Sequence, residues 1–435
     1  MLNSKALTKI QSIILIAVIV VAALGGAIAY VLLTGEQQSA ETIKIGVIAD
    51  IDNTEGKSIL QGAKLAAEQI NAEGGVLGRN FEIVAEDDDW EIKKDVNFAS
   101  NAFLKLISVD GADFVVSHGF GLTYREIVFE HKKILFNVGE ARDEYTQGVL
   151  DNYERYKYFF RSGTGNMTAA FKGSIESLLV CRNYTGFNKI GYIYFHTVAS
   201  IMSSTIDAVE ELGFEVVLSE PVADDVVDFS SHFAKAEAAG VEILIPFIFY
   251  SLGIPFVREY YDRQAPMVMW GGPSIGSTNN FWQITEGKCE YITSAGFPVV
   301  VGYPLTSKTT STRDAYFERW GEEISSNAAA AYDTIRFILA DAIERAGTIE
   351  TDAVIEALEE TDVETSICRR FIFTSSHDIF VGEAGPNRIS EDYFFVAMLQ
   401  WQNGVQVPVY PTELMEEAGA TYTFPDWSGP WDELE

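Results

Sequence analysis

IKIGVIADIDNTEGKSILQGAKLAAEQINAEGGVLGRNFEIVAEDDD, residues 43–89, reads as one strand–helix–strand unit. Ile43–Ala49 is an almost unbroken apolar run, as expected of a strand buried on both faces. Ser58–Asn71 follows with Ile59, Ala63, Ala66 and Ile70 on one face of a helix. Gly74-Gly75 stops that helix, and Phe81–Ala85 resumes a strand. A buried strand joined through a helix to a second strand is the unit of a parallel sheet.

Outward from this stretch the same alternation repeats. Val96, Ala99, Phe103 and Leu106 mark a helix, Asp113–Ser117 a strand, Leu122–His131 a helix and Ile134–Asn137 a strand. A second series starts after Arg161. It has helices at Met167–Arg182, Ala199–Leu212, Ser230–Ala238 and Leu252–Arg263. Its strands are Lys189–Phe195, Phe214–Leu218, Glu242–Phe249 and Met267–Trp270. Two such sheets exceed one core, so an α/β architecture of two doubly wound, Rossmann-like lobes is expected. Beyond them the pattern gives consecutive helices at Arg313–Ser325, Ala328–Arg345 and Thr351–Glu360. Tyr393–Trp401 and Val405–Tyr410 then flank Asn403-Gly404, a two-residue hairpin signal. The acidic, aromatic stretch from Glu413 reads as an irregular tail.

The 435 residues carry a net charge of −32 and are 47% hydrophobic. That composition supports a large core and argues against nucleic acid, which demands a concentrated cationic surface. Cys181, Cys289 and Cys368 lie far apart, and the five histidines fall singly, so no metal or cofactor is expected. The cysteines leave two readings open: one disulfide with a free thiol, or three buried thiols. No GxSxG elbow, P-loop or HExxH occurs, and an enzyme is not expected.

Residues 1–41 set the compartment. Ile13–Leu33 is uncharged and, as a helix, about 31 Å long, the thickness of a bilayer's hydrocarbon core. Lys5 and Lys9 precede it and Glu36 and Glu41 follow, which places the bulk of the chain outside the cell. The fold is thus expected to be preceded by one N-terminal transmembrane helix, retained as a single-pass cell-membrane anchor with a short tether. A cleaved signal peptide is the alternative, since Ala27-Ile28-Ala29 resembles a cleavage site; the chain would then be secreted.

Residues 43–89, with INAEGGVLGR (70–79) and EDDDW (86–90) as their most specific pieces, resemble the first strand, helix and strand of type I periplasmic-binding proteins. The branched-chain amino-acid and amide-binding (Leu/Ile/Val-binding-protein-like) group is the nearest within that family. VVSHGFGLTYREI (115–127), ILFNVGEARDEYT (134–146), AAAYDTIRFILADAIERAG (329–347) and YFFVAMLQWQNGVQVPVYP (393–411) extend the resemblance in the right order. It implies two lobes joined by three crossovers that form a hinge. Lobe one would be residues 42–161 plus 304–375, lobe two 162–303 plus 376–411, with 412–435 left as the tail. It also implies an extracytoplasmic binding protein of an ABC importer, which hands a small amino-acid, amide or carboxylate ligand to permease and ATPase subunits. The same fold also serves ligand-sensing receptors that signal through a partner membrane protein.

In open parallel sheets ligands lie beyond the carboxyl ends of the strands, where helix N-termini attract anions. Gly119 and Gly121 would let backbone N–H groups approach a ligand carboxylate, and the Thr123 hydroxyl could add a donor; the same glycines also fit an ordinary tight turn. In the family this loop and the next hold the carboxylate, and the next corresponds to Gly139-Glu140-Ala141. Tyr250 and Trp270 are expected at strand ends facing the cleft, or else in core packing, and His118 fits a core position or a ligand contact. Four departures stand out. Ala141 replaces a hydroxyl residue, and the carboxylate expected after Met267–Trp270 is missing from Gly271-Gly272-Pro273. The aromatic expected in the first βα loop falls near Glu55, and a tyrosine expected after Phe195 is replaced near Ala199, with His196 close by. Glu55 and Glu140 are alternative sources of negative charge, or else solvated loop acids.

Overall fold

Strand β1 (Ile43–Ala49) keeps every residue but Lys44 buried, because neighbouring strands flank it and helices cover it. A computed structural model describes residues 42–434 apart from 120, 279, 298, 300–302 and 383–392. The expected anchor at Ile13–Leu33 lies outside the described residues. Among those described, no helix is long and apolar enough to cross a membrane.

The first sheet is wholly parallel, in the order β2-β1-β3-β4-β5, with β2 at Phe81–Asp87, β3 at Phe114–Ser117, β4 at Ile134–Asn137 and β5 at Phe159–Arg161. The second, also parallel, runs β7-β6-β8-β9, with β6 at Lys189–Phe195, β7 at Glu215–Val222, β8 at Ile243–Phe247 and β9 at Val268–Met269. Strand β10 (Thr293–Gly296) pairs antiparallel with Ala397–Gln402 of the hairpin. Asn403 and Gly404 turn that hairpin with φ of 52° and 85°, the left-handed pair its sequence demands.

Each large sheet has its own core. One gathers Ile43–Phe160, Phe297, Val299, Tyr316–Ile379 and Phe394; the other gathers Leu178–Ile292 and Met398–Trp431. The chain therefore passes between them three times. Late segments complete the first lobe by close packing. A Cβ on Gly62, in the helix Thr54–Ala72, would lie 2.2 Å from the Ala328 carbonyl oxygen of the helix Ser326–Asp333. Ser325 to Ser58 (2.9 Å) and Tyr316 to Gln61 (2.9 Å) hydrogen bonds fix the same contact.

Two elements differ from expectation. The helix expected over Ala328–Arg345 forms within Ser326–Ala346 but widens to a π-turn at Thr334–Leu339. There the Thr334 hydroxyl donates to Ala330 O and meets Ser162 Oγ at 2.7 Å, so the side chain competes with the backbone ladder. The tail is not merely irregular. It forms a helix at Thr412–Glu417, and Trp427 and Trp431 are buried in the second core. Trp427 Nε1 donates to Ala265 O at 3.0 Å, and its ring lies edge-on to Tyr260 and Tyr291. The three cysteines are buried thiols that form no disulfide. Trp427→Ala should destabilise the second lobe by about 3–5 kcal/mol, the usual loss for a buried aromatic; denaturant unfolding measures it.

Candidate functional site

At the carboxyl edge of the first sheet, Ile48, Ser117, Asn137 and Arg161 stand in register on four neighbouring strands. Asn137 is buried and shapes the loops beyond. Its Nδ2 donates to Ser117 Oγ at 3.1 Å, and its Oδ1 accepts the Glu140 N–H at 2.7 Å. Gly139 packs against His118 of the preceding loop. A Cβ there would fall 2.2 Å from His118 Cδ2 and 2.6 Å from its carbonyl oxygen, so a side chain would drive the two loops apart. On its other side His118 Nε2 stands 3.8 Å from Glu55 Oε2, and Glu55 is buried in the first turn of the helix Thr54–Ala72. Loops after β1, β3 and β4 therefore converge. The strand order reverses between β1 and β3, which is where open α/β sheets receive ligands.

Gly119 follows β3 in open space, and Gly121 begins the helix Gly121–His131. Thr123 is half-buried in its first turn. The next residue, Tyr124, turns into the core, stacks on Phe103 at 4.5 Å and donates to Asp88 Oδ2 at 3.3 Å. Burial pushes the Asp88 carboxyl up to about 6, with the nearby Asp50 and Asp87 charges adding to it; the Trp90 N–H and the Tyr124 hydroxyl oppose the shift. Glu140 is held by its neighbour Arg142, whose Nε and Nη2 donate to it at 3.2 and 3.3 Å, so its charge is already matched. Ala141 turns its carbonyl to Arg161 Nη1 at 3.0 Å.

The second sheet reverses order between β6 and β8, and the loops there carry His196 and Tyr250. His196 is exposed. Tyr250 is 39% exposed, holds a left-handed φ of 56°, and donates its N–H to Ser274 Oγ at 3.1 Å. Trp270 corrects the sequence reading. It is 1% exposed, donates Nε1 to Ser177 Oγ at 2.8 Å and packs against Tyr422 of the tail, inside the core and away from the cleft. The acid-free stretch after it is half-buried: the Gly271 N–H donates to Thr293 Oγ1 at 2.9 Å, and a Cβ on Gly272 would lie 2.6 Å from Thr293 O, whereas one on Gly271 would meet open space.

Sequence reasoning missed one contact between the lobes. Asn280 Nδ2 of the second lobe donates to Thr54 Oγ1 of the first at 3.2 Å, next to Glu55. Neither residue carries a motif, and only the folded arrangement brings them together. Two parallel-sheet lobes thus face each other with four loops at their switch points, and residues 42–384 match the family described as periplasmic binding protein.

The chain belongs to the periplasmic binding protein family. This is a family of binding proteins and not of enzymes. The chain is 24% identical over 400 residues to Leu/Ile/Val-binding protein homolog 7 of Brucella suis, covering 87% of this chain and 94% of that one. Its fold superposes on a putative branched-chain amino acid ABC transporter from Silicibacter pomeroyi with a TM-score of 0.72 at 19% identity, over 89% of this chain and all (100%) of the other. A solute binding protein of an ABC transporter from R. palustris, solved with benzoate, gives a TM-score of 0.67 at 14% identity, over 84% and 95% of the two chains.

Asp88 gives this periplasmic binding protein a defined pH response. Its native carboxyl holds a proton that the unfolded chain, with the ordinary value of 3.8, has already released. The resulting stabilisation is complete below about pH 4 and is lost as the pH rises through about 6. Asp88→Asn should remove up to roughly 3 kcal/mol of that fall. Chemical denaturation at pH 4 and pH 7 compares the two slopes.

Proposed function

We propose that the chain captures a small carboxylate-bearing solute between its lobes and presents it to the permease and ATPase subunits of an ABC importer. The observation that carries this reading is the convergence of the Glu55, His118 and Gly139 loops at the carboxyl ends of β1, β3 and β4. Backbone N–H groups around Gly119, Gly121, Gly139 and Ala141, with the Thr123 hydroxyl, receive the carboxylate, while the Glu140 N–H stays on Asn137 Oδ1. His196 and Tyr250 approach from the second lobe as the hinge closes. Closure follows from differential affinity: only the closed state gives the ligand both sets of contacts. Residues 13–33 tether the protein to the outer face of the membrane.

The relatives frame the ligand's second group. One is named for leucine, isoleucine and valine, whereas another was solved with benzoate, which has no ammonium. Here Gly271-Gly272-Pro273 offers no acid and is packed against Thr293, so an ammonium must be met by Glu55. Buried and 3.8 Å from His118, Glu55 is a carboxylate that the lobe-one switch point brings to these loops, whereas Glu140 is matched by Arg142. Titration calorimetry of the purified chain with leucine, isoleucine, valine and benzoate tests the reading. Binding of at least one is expected, and failure of all four, together with no small molecule retained in native mass spectrometry, would overturn it. Glu55→Gln should weaken an amino acid about tenfold or more while sparing benzoate, since it removes only the partner of the ammonium. Gly139→Ala should weaken both, because the added methyl displaces the His118 ring.

A further inference from the structure

Arg161 ends β5 at the point where the chain leaves the first lobe, and its side chain is fully buried, at 0% exposure. Few groups are costlier to bury than a guanidinium, so the way it is satisfied is informative. Its Nη1 and Nη2 donate to the carbonyl oxygens of Ala141 and Arg142, in the loop after β4. Nη1 also stands 3.6 Å from Asp378 Oδ2. Asp378 lies in the segment that precedes the chain's last crossing to the second lobe, and this segment zips onto Arg161 through backbone bonds from Arg161 N to His377 O (2.9 Å) and from Ile379 N to Arg161 O (3.0 Å). The same carboxylate oxygen accepts Asn166 Nδ2 at 3.0 Å, from the outgoing crossover, and the Thr146 hydroxyl at 3.2 Å.

One buried pair thus ties two crossovers to one ligand loop. The C=O and N–H of a trans peptide point in opposite directions. Holding the Ala141 and Arg142 carbonyls toward Arg161 therefore fixes those two peptide planes, turns the Arg142 N–H onto Glu140 Oε1 at 3.3 Å, and anchors the end of the loop that presents Gly139 and Ala141. A bend in the crossovers that moves Arg161 or Asp378 must move those peptide planes, and a ligand that seats on the loop must bias the crossovers.

We propose that Arg161 and Asp378 are positioning residues that couple the shape of the 139–142 loop to the bending of the hinge. Neither touches the ligand; both set its affinity. The proposal rests on the reading of that loop as part of the binding site, and the test separates the two.

Hydrogen–deuterium exchange of the full-length chain, without ligand, compares the parent with Asp378→Asn, Arg161→Lys and Arg161→Met. Asp378 bonds no residue of 139–142 but accepts the Thr146 hydroxyl, so a merely local role would loosen only peptides covering 146–151, 161–166 and 377–381. Coupling predicts that Asp378→Asn also speeds exchange in the 140–145 peptide by about tenfold, on the scale of a lost charge-assisted bond. Arg161→Lys, which keeps the charge but loses the fork, should match Arg161→Met in that peptide. An unchanged 140–145 peptide in Asp378→Asn, or full rescue by lysine, would overturn the proposal. If Arg161→Met does not fold, the Asp378→Asn comparison still decides. Calorimetry with isoleucine and benzoate on the same variants should show about tenfold weaker binding of whichever the parent binds. Absence of binding by the parent counts against the carboxylate reading alone, and the exchange result then judges the coupling independently.

Discussion

Strand polarity governs this molecule. In a parallel sheet every strand ends on the same edge, so every following loop and helix start emerges there. The order β2-β1-β3-β4-β5 then forces successive connections to opposite faces, which parts the loops after β1 and β3 and opens a crevice between them. The second sheet repeats the arrangement with β7-β6-β8-β9. Nothing about the site needs residues of unusual chemistry. It needs two such edges aimed at one another, and three passes of the chain between the lobes keep them so.

Close approach shapes the edge proposed as the site. Gly139 admits the His118 ring, and His118 in turn approaches Glu55 to 3.8 Å. Behind them Asn137 spends both ends of its amide on Ser117 and the Glu140 N–H, and Tyr124 pins the start of the next helix through Asp88. Each loop is held by a buried polar group that would be costly to leave unsatisfied. Such a site is shaped before a ligand arrives, so less ordering remains to be paid for on binding.

How much of this was legible in the sequence differs by level. Ile43–Ala49 and the helix after it were readable because burial on both faces leaves an unbroken apolar run and one helical face leaves a 3.6-residue period. Asn403-Gly404 was readable because few other pairs adopt two positive φ values. Trp270 was not. An indole at a strand end looks the same whether it faces a cleft or a covering segment, and Tyr422, 152 positions later, covers it. The tail's place in the core was hidden for the same reason: it follows no period, and tertiary packing alone orders Trp427 and Trp431. Glu140 offered a charge in sequence, but the partner that quenches it, Arg142, was two residues away and needed the loop's conformation to reach back. The helix through Thr334 was readable from its period, but its widening to a π-turn beside a hydroxyl bonded to Ala330 O and Ser162 was not.

A chain with a net charge of −32 is an unpromising receiver for an anion, and resolving that conflict constrains the mechanism. At physiological ionic strength charges farther away than about 8 Å are largely screened, so most of the acidic surface does not act on a ligand already in the cleft. What acts are the groups within that radius. There the cations are committed elsewhere: Arg142 to Glu140, and Arg161 to two carbonyls and Asp378. A carboxylate in the proposed position must therefore be held by backbone N–H groups and the helix start at Gly121–His131, which are oriented dipoles and not mobile counter-charges. Dipoles of that kind act over short distances and only in fixed directions. Their selectivity depends on the peptide planes that present them, which is why a buried arginine whose donors grip loop carbonyls matters more here than an exposed one reaching for the ligand.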